Sequence, residues 1–193
     1  MKKTLITILA TVLVCCCVVG GTLAWLMDST QTVTNTFTVG NVDITLTEKG
    51  TETTAESFSM VPGRVIPKDP KVTVKVGSEA CWLFVKIKET NNTFGDAQNS
   101  QKFVTYAIAG GWTLLEESEG VYVYWRSVTA DQIAAGAEYS VLAGNQVTAN
   151  SNATATDFAA LGENKPALSF TAYAVQSEGV ADAATAWGYL PTT

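Results

Sequence analysis

Residues 71–88 read KVTVKVGSEACWLFVKIK. Val72, Val74 and Val76 alternate with Lys71, Thr73 and Lys75, the period of a strand with one apolar and one polar face. Gly77-Ser78 turns the chain, and residues 81–87 follow as a strongly apolar strand, with Lys86 and Lys88 facing outward at its end. Two strands separated by a turn alone place this chain among β proteins rather than in a βαβ fold.

The same pattern extends in both directions. Towards the N-terminus, Val33, Phe37 and Val39 alternate with Thr34, Thr36 and Thr38; after Gly40-Asn41, Val42, Ile44 and Leu46 alternate with Asp43, Thr45 and Thr47. This is either a hairpin turned at Gly-Asn or one long strand kinked at Gly40. Residues 48–59 and 91–100 read as exposed polar loops, with turns at Pro62-Gly63 and over residues 67–70. Towards the C-terminus, strands are expected at residues 103–108, 112–116, 121–126, 138–142, 146–149 and 168–176, with Gly110-Gly111, Glu119-Gly120 and Gly144-Asn145 between them. Residues 129–136 suit a short helical turn and residues 182–187 a short terminal helix. Many short strands with turn signals between them predict an all-β chain folded as a sandwich or barrel.

The first residues differ in kind. Lys2 and Lys3 precede an apolar run over residues 5–19, Gly20-Gly21 breaks it, and Thr22-Leu23-Ala24 sets small residues at −3 and −1 of a signal-peptidase site between Ala24 and Trp25. The expected organisation is a signal peptide over residues 1–24 and one secreted domain over residues 25–193. The competing reading is a membrane anchor, since residues 5–27 carry no charge and are long enough to cross a bilayer as a helix. Both readings put the bulk of the chain outside the cytoplasm, touching membrane only through the leader. Cys15, Cys16 and Cys17 lie in that leader, so Cys81 has no partner for a disulfide in the remaining domain and is expected as a buried core thiol.

Composition excludes more chemistry than it offers. A net charge of −6 without clustered Lys and Arg argues against a nucleic-acid partner. The chain has no histidine, which removes the Ser-His-Asp triad, the Cys-His pair and imidazole-based zinc sites. No phosphate-binding glycine loop and no D-x-[DN]-x-[DN]-G calcium loop is present. No catalytic residue, metal or cofactor is therefore expected. Glu116, Glu117 and Glu119 offer paired carboxylates of the kind glycosidases use, but read more simply as a solvated hairpin. Tyr122, Tyr124 and Trp125 are a candidate ligand surface for carbohydrate, with sheet packing as the plainer reading. Asn91-Asn92-Thr93 matches a glycosylation sequon without further support.

The run GGTLAWLMD over residues 20–28, followed by NTFTVGNVDITL over residues 35–46, resembles the signal and first strand of the TasA/camelysin family, whose leaders are cut by a SipW-type signal peptidase. Val61-Pro62-Gly63-Arg64 with Lys68-Asp69 resembles that family's turn before a strand. The resemblance implies a jelly-roll-like antiparallel sandwich and, in the TasA-like members, a homopolymer in which the freed N-terminal strand of one subunit completes a neighbour's sheet. The donor segment here is residues 25–39, with Val33, Asn35, Phe37 and Val39 as its candidate contact residues. The camelysin side is described as metalloprotease, an activity that a histidine-free chain does not inherit. The leading expectation is a non-enzymatic surface or biofilm-matrix protein, possible as a fibre subunit, and the alternatives are a monomeric adhesin or carbohydrate-binding module and a secreted carboxylate hydrolase.

Overall fold

The computed structural model describes residues 42–48, 61–96 and 98–191. The leader, the Ala24–Trp25 site and the candidate donor residues Val33, Asn35, Phe37 and Val39 lie outside the described residues, as does the Gly40-Asn41 turn. The strands are β1 (Ile44–Thr47), β2 (Val65–Pro67), β3 (Lys71–Val74), β4 (Cys81–Thr90), β5 (Thr93–Phe94), β6 (Gln101–Lys102), β7 (Val104–Thr105), β8 (Thr113–Ser118), β9 (Val121–Val128), β10 (Glu138–Ser140), β11 (Gln146–Ala149) and β12 (Ala167–Gln176). Three short helices join them: α1 (Ala130–Ala134), α2 (Ala155–Ala160) and α3 (Ala183–Gly188).

Every strand pairing among the described residues is antiparallel. The largest sheet runs β12-β4-β9-β8; two smaller ones run β1-β3-β10 and β2-β11-β7, and β5 pairs with β6. The expected all-β antiparallel sandwich with a short C-terminal helix is what forms.

β4 is central because both of its faces are buried. Cys81, Leu83, Val85 and Ile87 enter the main core with Ile44, Ile66, Val72, Val74, Val147, Ala172 and Ala174 from other strands. Phe84, on the opposite face, packs with Val123, Tyr173 and Val175 beneath Ala183, Ala186 and Leu190 of the C-terminal segment. A strand covered on two sides needs apolar residues at successive positions, which explains the unbroken run that precedes Lys86. The small sheets therefore lie against one side of the large sheet, and α3 covers the other.

Several expectations are corrected. β3 stops at Val74, and Val76 is 71% exposed rather than sharing the buried face of Val72 and Val74. The cause is a turn in which Ser78 N–H donates to the Lys75 carbonyl at 3.1 Å and Gly77 adopts φ +94°. Gly144 and Asn145 turn the chain as expected, with φ of +67° and +52°, and lead from β10 in one sheet to β11 in another. The loop expected over residues 91–100 contains β5, and the strand expected at residues 103–108 shortens to β7 plus a bridge from Ile108 to Leu142. Helix α2 is not anticipated by the sequence reading.

Candidate functional site

The three aromatic residues proposed as a ligand surface do not share a face. Alternation along β9 turns Tyr122 and Tyr124 towards the main core and Trp125 towards the second cluster, where its ring meets that of Trp82 edge-on with centroids 5.3 Å apart. Glu116 and Glu117 are exposed on β8, and Glu119 occupies the hairpin turn. Glu116 Oε2 accepts a hydrogen bond from Trp187 Nε1 at 3.1 Å, which ties α3 to β8. Cys81 is fully buried, and loss of water contact pushes its thiol pKa up to about 12, so it is a core group rather than a nucleophile.

The densest polar cluster is one the sequence reading did not single out. Glu89, with a side chain 5% exposed near the end of β4, accepts from Lys102 Nζ at 2.7 Å and Asn92 Nδ2 at 3.1 Å through Oε2, and from the Tyr106 hydroxyl at 2.8 Å through Oε1. Lys102 Nζ also donates to the Tyr122 hydroxyl at 2.7 Å. Asn92 is buried and bonds the Val104 backbone in both directions, donating to its carbonyl at 3.0 Å and accepting from its N–H at 2.8 Å. Burial opposes the Lys102 charge, but its bonds to Glu89 and Tyr122 outweigh this and raise its pKa. Burial first, and then the bond to Glu89, raise that of Tyr106. Chemically this is a satisfied charge clasped by donors. It fastens β4, β6 and β9 to the segment around β5 and β7, and offers no second carboxylate for acid–base work.

Sheet margins are the other feature of interest. β1 and β12 are terminal strands of different sheets, and they lie in contact with each other. The opposite margin of the large sheet, β8, is broken by a bulge between Leu114 and Glu116 and carries two exposed acids, devices that discourage strand addition. The margin at β1 is reached directly by the chain arriving from residue 41.

A family model described as Camelysin metallo-endopeptidase matches residues 1–102, more than half of the 193-residue chain. The chain belongs to the camelysin family. The match runs through β6 and includes residues 1–24, where a leader is expected, as well as Asn92 and Lys102 of the polar clasp. No curated protein matches the chain. The family's name implies a metal ion, and the residues present do not fit one. The chain has no histidine, and among the described residues no three of Cys, Asp and Glu converge. The buried carboxylate of Glu89 already faces three hydrogen-bond donors. No hydrolytic step is assigned to this camelysin-family chain.

Proposed function

We propose that this protein is a secreted structural component of the cell surface or extracellular matrix. A SipW-type signal peptidase releases it between Ala24 and Trp25, and residues 25–39 then add as a strand to a second copy. The observation that carries this reading is the position of β1. It is the terminal strand of its sheet, beside the terminal strand of the other, and it is entered from the alternating Thr-rich segment that holds Val33, Asn35, Phe37 and Val39. An extended segment gains main-chain hydrogen bonds by joining such a margin. Transfer of a strand from one copy to the next is head-to-tail, so it propagates unless the geometry closes. Membership of the camelysin family, reached through a match that includes residues 1–24, supports the same reading.

Release is tested by the N-terminal residue of protein collected from culture medium. Trp25 at the N-terminus is expected, and an intact leader on all of the material, held in the membrane fraction, would defeat the proposal. Conversion of Ala24 to a bulky residue, Ala24→Trp, is expected to leave the leader uncut.

A further inference from the structure

Lysines meet carboxylates at several places: Lys68 with Glu48, Lys71 with Asp69 and Glu138, Lys75 with Asp43, and Lys102 with Glu89. Arg126 is held differently. Its guanidinium carbon lies 3.9 Å from the ring centroid of Tyr139 and 5.4 Å from that of Trp112. Trp112 is fixed in turn by donating its Nε1–H to the Ser140 carbonyl at 2.8 Å. Gly111, at φ +87°, lets the backbone close over the fork: a Cβ there would stand 3.1 Å from Arg126 Nη2. Burial lowers the Arg126 pKa.

Two donors in this assembly are buried without a hydrogen-bond partner, Arg126 Nε and the Tyr139 hydroxyl. Buried polar groups are ordinarily satisfied, and a half-buried cation ordinarily has its anion. Here aromatic faces take the place of the anion on two sides, which stabilises the charge but leaves the in-plane donors of the fork unused. We propose that Arg126, clamped by Trp112 and Tyr139 where β9 faces β10, is the recognition group of a carboxylate-binding site. A planar carboxylate meets the Nη1–Nη2 edge of the guanidinium in its own plane with two parallel hydrogen bonds, since Nε is closed to solvent. A tetrahedral anion also pairs with the fork through two oxygens, but carries the others out of that plane, on the side where the Tyr139 ring stacks on the guanidinium. In a chain of net charge −6, this fixed positive point selects an acidic group that the rest of the surface repels.

The chain has two arginines, so exposed Arg64 is an internal control. The probes are D-glucuronate and acetate, with glucose, chloride and inorganic phosphate as comparisons at fixed ionic strength. The measurement is the nitrogen–proton correlation of the arginine Nε–H groups in the full secreted chain. The Arg126 signal is expected to move saturably with either carboxylate while Arg64 stays in place. R126K should weaken binding about tenfold or more, because lysine keeps the charge but loses the fork. An Arg126 signal that instead moves with protein concentration, and returns when glucuronate is added, assigns the carboxylate to a second copy of this chain. The proposal fails if Arg126 does not respond, if both arginines drift together without saturation, or if phosphate binds as tightly as glucuronate. Backbone spectra of R126K that overlay the parent away from Arg126 separate lost binding from lost folding.

Discussion

Glu89 and Gly120 hold the same corner from two sides. Glu89 N–H donates to the Gly120 carbonyl at 2.8 Å, and a Cβ at Gly120, already at φ +79°, would stand 3.2 Å from the Glu89 carbonyl. Gly120→Ala is expected to cost about 1–2 kcal/mol in urea denaturation through backbone strain. Glu89→Ala is expected to cost about 2–3 kcal/mol, because it strands the Tyr106 hydroxyl and one amide N–H of Asn92, whose Nδ2 keeps only the Val104 carbonyl; the partial exposure of Lys102 keeps the figure from being larger. Cys81 gives a pH test. Its thiol pKa is raised from 9.0 to about 12 in the fold, so above pH 9 the unfolded chain releases a proton that the folded one keeps. That contribution is intact below pH 9 and is lost as the pH rises towards 12, at up to about 1.4 kcal/mol per pH unit. Tyr106, Tyr124 and Tyr139, whose pKa values are also raised, act in the same direction above pH 10. In Cys81→Ala the alkaline fall in stability should be shallower even though the variant starts less stable; an unchanged slope would contradict this. Burial of Cys81 was legible because its neighbours are apolar. The clasp was not, because its members run from Glu89 to Tyr122 and meet only through strand register.

At the scale of elements, strands long enough to show a period were legible and the rest were not. β3, β4, β9, β11 and β12 stand where alternating or unbroken apolar runs predict them. β5, β6 and β7 are two residues each, too short to carry any period. Helix α2 did leave a signal: Thr154 caps it and Asp157 returns the bond, a capping box spelled out three residues apart. Helix α1 has the same device at Thr129 and Gln132, so Thr129→Ala should cost about 1 kcal/mol in the same denaturation assay. The outer face of the large sheet depends on α3, where the Trp187 ring lies 5.2 Å from Phe84 and 5.4 Å from Tyr173. Trp187→Ala is expected to cost about 2–3 kcal/mol and to raise binding of a hydrophobic dye. A variant with parent stability and no added dye binding would show that α3 does not hold this face.

For the whole molecule, alternation announced the all-β class but not which strands become neighbours. β4 pairs with β12 from Cys81 opposite Gln176 to Thr90 opposite Ala167, a long-range pairing that no local pattern encodes. Burial on both sides of β4 likewise decided the fate of Tyr122, Tyr124 and Trp125, since a sheet with two covered faces divides its aromatic residues between them. β8, one margin of the large sheet, is guarded by its bulge and its acids, and the proposed assembly uses the other side, at β1 and β12. The most direct measurement is electron microscopy of two purified forms, one beginning at Trp25 and one beginning after Val39. Filaments from the longer form and dispersed single domains from the shorter are the predicted result. Single domains from both, or filaments from both, would contradict assembly through residues 25–39.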